Sequence, residues 1–253
     1  MQLELTDLLD EINELFIKIT RDKIFKNEKE DFLSHVRSCL KLNKAEDWNY
    51  ILASEDILED SNTAISNFLK FGISGPTKCD ELGEKYLRLY GVLNAVYLQQ
   101  QAILNLHKFF QCPDPNELRT QFSSLQVIEL RHKLASHSAN YSDQNSGDMH
   151  VFVPVRIELA DFEVSYFNHH TDDYVKADLK MAIKEHLELM CQTYIKIVEK
   201  SVSTTYKSNS EKITKLMNKL DPFVKMIEGC TLMKNEFTGE FTVIKYIPSD
   251  FRE

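Results

Sequence analysis

Residues 86–106 read YLRLYGVLNAVYLQQQAILNL, and the spacing of apolar side chains in and around them decides the fold class. Leu82, Tyr86, Leu89, Leu93, Val96, Ile103 and Phe110 follow one another at steps of three, four or their sum. That pattern predicts a helix over about 77–111 with one apolar stripe. Gln100 and His107 fall in the same stripe. Polar side chains inside the apolar seam of so long a segment mark a helix packed in a bundle rather than one lying free on a surface. Pro113 and Pro115 end it.

Downstream, helical periodicity resumes near Asp114 and runs to about His137 through Leu118, Phe122, Leu125, Ile128 and Leu134. Asn140 to Gly147 is a polar loop, after which the period changes from helical to alternating. VFVPVRIE (151–158) and FEVSYF (162–167) read as a β-hairpin, with Pro154 confining its strand to an edge. Helices follow at about 175–205 and 209–228, the second stopped by Gly229, and two β-like pieces flank Thr238-Gly239. Upstream, helices are expected over 3–20, 28–43 and 55–71, the last ended by Gly72-Ile-Ser-Gly75-Pro76. The expected fold is mainly α, a four-helix bundle with an inserted hairpin. Its parts are a helical N-terminal lobe at 1–72, the bundle at 73–230 with the hairpin at 150–168, and a C-terminal β-hairpin tail at 231–253.

Composition supports this reading and narrows the function classes. Gly (7) and Pro (6) are scarce in 253 residues, too few for the turns of an all-β fold. No apolar run approaches the roughly 18 residues of a membrane span, and the acidic, amphipathic start MQLELTDLLDEINELF is unlike a signal peptide. Five dispersed cysteines without a CxxC pair suggest neither a disulfide framework nor a cysteine zinc site, and fit a reducing, cytoplasmic compartment. The net charge of −9 argues against a surface that coats nucleic acid indiscriminately. Residues 1–60 carry 15 acids and 8 bases, whereas 61–150 balance at 8 of each, so the acidity belongs to the N-terminal lobe.

Chemistry concentrates in Glu129-Leu-Arg131-His132-Lys133-Leu-Ala-Ser-His137-Ser-Ala-Asn140-Tyr141. Arginine presents a permanently charged fork that matches phosphate oxygens. Histidine titrates near neutrality and passes protons in either direction. RNA carries its own nucleophile, the ribose 2′-OH, so a base and a cation suffice to cleave it without a metal. Positions 131 and 137 lie about 240° apart on an ideal helix, so the two share a cleft only if the last turn departs from α geometry. The alternative is structural, with Arg131 paired to a carboxylate and His137 capping the helix C-terminus.

The run RHKLASH resembles the signature of the HEPN superfamily, an Arg followed by Asn, Asp or His, then a small and apolar run, then His. Arg131, His132 and His137 match those positions. The helix at 86–106 also resembles the one that precedes the motif in that family, and the likeness covers roughly residues 77–200. The resemblance implies a four-helix bundle, usually dimeric, in which two protomers bring their motifs to one cleft. Many such proteins are metal-independent endoribonucleases of toxin–antitoxin, antiviral defence or RNA-processing systems. Others have lost catalysis and bind a protein partner or nucleotide. By resemblance Arg131 would stabilise the scissile phosphate, His137 would act as acid or base, and His132 would brace the site. Some toxin members carry a modified Tyr two residues after the motif His; here Tyr141 follows by four. Asn140 and Tyr141 are carried as supporting residues, Lys133, Asn94 and Gln101 as RNA contacts, with Tyr97 on the same polar stripe as the last two. The expected partners are RNA, a second copy of the chain and a cognate antitoxin or regulatory protein, with no cofactor.

Other polar clusters have blander readings beside their functional ones. His169-His170-Thr-Asp172-Asp173, with His150, could hold a metal at a hairpin end or be a solvated loop. Gln100, His107 and His186 could line a cleft or set helix register through hydrogen bonds. Six lysines between 196 and 219 could follow a nucleic-acid backbone or form a solvated face. No GxGxxG, P-loop, GxSxG or HExxH string is present.

Overall fold

The computed structural model describes residues 1–25, 31–78, 80–136, 141–142 and 147–245. It is mainly helical, with a small antiparallel sheet and a C-terminal hairpin. The first three helices are α1 (Leu5–Ile24), α2 (Phe32–Leu40) and α3 (Asp47–Phe71). The long seam helix is α4 (Leu82–Phe109), and α7 (Leu179–Thr205) and α8 (Ser210–Ile227) follow the sheet. None of the described helices is long and apolar enough to cross a membrane.

Several expectations need correction, among them the start of α3, which lies at Asp47 rather than near 55. The single helix expected over 114–137 is three pieces: α5 (Pro115–Ser123), α6 (Gln126–Arg131) and a π turn over His132–Ser136. Ser124 turns its hydroxyl back onto the Gln121 carbonyl at 2.8 Å, and Leu125 is extended (φ −68°, ψ 136°). Serine side chains compete with the helix ladder in this way, yet the apolar spacing runs on across the break and hides it. The expected two-stranded hairpin is a three-stranded sheet. Besides a two-residue pair, β1 (Tyr141–Ser142) with β2 (Met149–His150), the strands β3 (Phe152–Pro154), β4 (Glu163–Asn168) and β5 (Asp173–Asp178) lie in that order, antiparallel. Pro154 does sit on the edge strand β3. Residues expected to begin the next helix at 175 are instead β5, and Asp178 accepts from the backbone N–H groups of Lys180 and Met181 to start α7.

The chain divides into two compact units whose boundaries fall inside α3, α4 and α7 and in the loop between α4 and α5. The first comprises Met1–Glu55, Asn105–Pro113 and Glu188–Glu253. Its core centres on Phe16, whose ring meets Phe110 at 5.2 Å and Tyr194 at 5.4 Å. The buried Tyr194 hydroxyl donates to Asn13 Oδ1 at 2.6 Å, which satisfies both polar groups. The tail hairpin, β6 (Thr231–Lys234) with β7 (Phe241–Ile244), binds the N-terminus through Leu3 N–H to Leu232 carbonyl at 3.0 Å.

The second unit, Asp56–Leu104 and Asp114–Leu187, contains the motif. Here Phe68 packs edge-on against Phe162 at 5.9 Å. Gly72 ends α3 with φ +62°, and the Ile73 N–H donates to the Asp161 carbonyl at 2.7 Å. His186 is fully buried, its Nε2 hydrogen-bonded to Gln99 Oε1 at 2.9 Å.

Candidate functional site

The motif begins where α6 ends. Arg131 closes α6, and the chain then widens into the π turn carrying His132, Lys133 and Leu134. The segment that follows Arg131 thus departs from α geometry over His132–Ser136. Such π segments often accompany functional sites. His137 and Asn140 lie outside the described residues.

Arg131 is half-buried, and its guanidinium lies 3.8 Å from the centroid of the Tyr97 ring. That stacking holds a planar cation on an aromatic face. Tyr97 shares its side of α4 with Asn94 and Gln101, at spacings of three and four residues, and both of those are exposed. The polar stripe expected from sequence and the motif arginine thus come together through Tyr97. His132 is half-buried.

Lys133 has a different setting. Its ammonium is 2.5 Å from Glu129 Oε1, one helical turn back. Around it stand Phe152 at 5.0 Å, Tyr166 at 5.7 Å and Tyr141 at 6.0 Å. Phe152 meets Tyr141 edge-on at 5.2 Å and Tyr166 at 5.8 Å, so the rings form a box. Burial pulls the Lys133 pKa down, but the hydrogen bond to Glu129, with the charges nearby, holds it above the ordinary lysine value. Burial raises the Tyr166 phenol against the opposing effect of Lys133. Lys133 and Tyr141 therefore meet each other across this box. Its walls, Phe152 and Tyr166, were not singled out from sequence, because strand pairing alone brings them to the π turn. Glu129 was legible as an i, i+4 partner.

The other polar candidates sort as follows. Gln100, His107 and His186 are buried. The partner of His186 is Gln99 rather than Gln100, and burial lowers the His186 pKa to about 3, keeping the ring neutral. His169 and His170 diverge, His169 packing on Phe167 at 4.9 Å and His170 on His150 at 4.4 Å. In the first unit Lys196, Lys200, Lys207, Lys215 and Lys219 are exposed, while Lys212 is ion-paired with Asp22. The described cysteines are all free thiols, and burial pushes Cys112 up to about 11 and Cys191 higher still. Neither is an activated nucleophile.

The chain matches no family model, no curated protein and no solved structure.

Proposed function

We propose that this chain is a HEPN-like, metal-independent endoribonuclease acting in defence, toxin–antitoxin or RNA processing. In this reading the ribose 2′-OH attacks the adjacent phosphodiester. His137 exchanges the protons, and Arg131 stabilises the charge that builds on the phosphate oxygens. The observation that carries the reading is the setting of Arg131. A guanidinium fixed on the Tyr97 ring at the mouth of a π turn, beside the exposed Asn94 and Gln101, is a cation held in place before a ligand arrives. The functional unit would be a homodimer in which two motifs face one cleft, under the control of an antitoxin or regulatory protein.

Lys133 favours a second reading. Its charge is taken up by Glu129 and three aromatic rings, which leaves the motif with less free positive charge than a nuclease cleft of this kind would use. A catalytically silent HEPN-like module that binds a protein partner or nucleotide fits that feature. One experiment separates the two. Purified protein is incubated with a mixed RNA pool in EDTA, beside Arg131→Ala and His137→Ala. The nuclease reading expects fragments with 2′,3′-cyclic phosphate ends and a loss of at least a hundredfold in rate in each variant. Intact RNA with the wild type, or cleavage that both variants retain, overturns it.

A further inference from the structure

The β1–β2 pair and the β4–β5 turn of the second unit bring together three donors that are separated along the chain. Asp148 precedes β2, His150 ends it, and His170 lies in the turn between β4 and β5. One ligand atom from each lies within 4.8 Å of the other two. The imidazole rings of His150 and His170 are 4.4 Å apart between centroids. Apolar burial does not account for this arrangement, since Asp148 and His170 are exposed and His150 is half-exposed.

A single buried amide aligns the two histidines. Asn168, 7% exposed, accepts the His170 backbone N–H on Oδ1 at 3.0 Å and approaches His150 Nδ1 with Nδ2 at 3.0 Å. Histidines that ligate metals commonly donate their second ring N–H to an oxygen, and such partners change metal affinity by about 10–100-fold; here the amide nitrogen of Asn168 faces His150 Nδ1 instead.

We propose that Asp148, His150 and His170 form a three-ligand site for a divalent transition metal, zinc above others. Two imidazole nitrogens and one carboxylate are the donor set of an open zinc site, which leaves a fourth position for water. Magnesium and calcium prefer all-oxygen surroundings and are disfavoured. Tetrahedral zinc with bonds of about 2.0–2.1 Å places its donors roughly 3.3 Å apart. The three side chains close by an ångström or so to reach that spacing.

The proton count also closes. With Asn168 Nδ2 donating to His150 Nδ1, the proton of the neutral ring is on Nε2. Metal binding at Nε2 moves that proton to Nδ1, with no net release. The Asn168 amide must then turn over so that Oδ1 receives the Nδ1 proton, and the His170 N–H loses its acceptor. Asn168 is thus a positioning residue whose amide opposes the metal-bound tautomer. A carboxylate in its place accepts from His150 Nδ1 and from the His170 N–H together. The bound metal would tie β2, and through it the strand that carries Tyr141, to the β4–β5 turn.

The test uses the full chain stripped with chelator, titrated with zinc by calorimetry and with cobalt by visible absorption. Expected are one equivalent of zinc bound at micromolar concentration or below, and the intense visible bands of four-coordinate cobalt. His170→Ala and Asp148→Asn, both at exposed positions, should weaken binding at least tenfold. Asn168→Asp should strengthen it about tenfold. Zinc should raise the melting temperature of the wild type and not that of His170→Ala. Equal affinity in wild type and His170→Ala, a six-coordinate cobalt spectrum, or a thiolate-to-cobalt band overturns the proposal. None of these readings involves RNA cleavage, so the site stands or falls independently of the nuclease.

Discussion

Lys133 shows how one side chain can be legible in part. Its pairing with Glu129 follows from the i, i+4 spacing. Its aromatic box does not, because Phe152 and Tyr166 reach it only once β3 and β4 have paired. Lys133 is 16% exposed whereas Glu129 is 51% exposed, so the cation relies on the pair more than the carboxylate does. We therefore expect Lys133→Met to cost about 1–2 kcal/mol, since its stem still packs while the ion pair and cation–π contacts are lost. Glu129→Gln, which leaves the box intact and removes a largely solvated charge, should cost less than about 1 kcal/mol. Urea denaturation of the three proteins compares them, and a Lys133→Met variant as stable as the wild type would contradict a structural role for the box. Arg131 and Tyr97 each stand out in the sequence, but their contact, between residues 34 positions apart, is not legible there.

At the scale of elements, helical periodicity located α1, α4, α7 and α8 to within a few residues, because each presents a continuous apolar stripe. It failed where a stripe outlasts its helix. Leu118, Phe122, Leu125 and Ile128 keep their spacing across the break between α5 and α6, so the break lies in backbone hydrogen bonding that side-chain pattern does not record. It failed again at β5, where Asp173–Asp178 pairs along all of β4 although its sequence blends into the stripe of α7. The end of α3 was legible because glycine has a steric reason to be there. A Cβ on Gly72 would stand 2.5 Å from the Asp161 carbonyl oxygen, at φ +62°. Gly239 has a similar φ of +70° but open space around it. Gly72→Ala should therefore cost at least ~2 kcal/mol, and Gly239→Ala only about 1 kcal/mol, the conformational share alone. Thermal melts of the two variants separate the contributions; equal losses would show that the approach to Asp161 is relieved by a small shift of the loop.

For the whole molecule, contiguous lobes are the natural reading of a sequence, whereas the two compact units each draw on separated stretches of chain and divide three long helices between them. Periodicity reports that a helix continues, not which neighbours it meets along its length. The net charge of −9 and a pI near 5.4 bear on stability as well. Acidification from pH 7 toward the pI removes net charge, so general self-repulsion weakens and should not unfold the protein. His186 acts in the opposite direction. Unfolded, its ring titrates near 6.5; folded, burial has lowered that to about 3. Between these values the unfolded chain binds a proton that the native protein excludes, so stability is retained above about 6.5 and falls with pH at about 1.4 kcal/mol per unit below it. From pH 7 to pH 5 this one residue should remove about 2 kcal/mol. His186→Gln, which cannot charge, should lose that much less over the same interval, whatever its stability at pH 7. Other groups contribute alike to both proteins and cancel in the comparison. Parallel urea titrations at pH 7 and pH 5 measure the difference, and identical pH slopes in the two would mean that the ring is reached by solvent and protonates in the folded state.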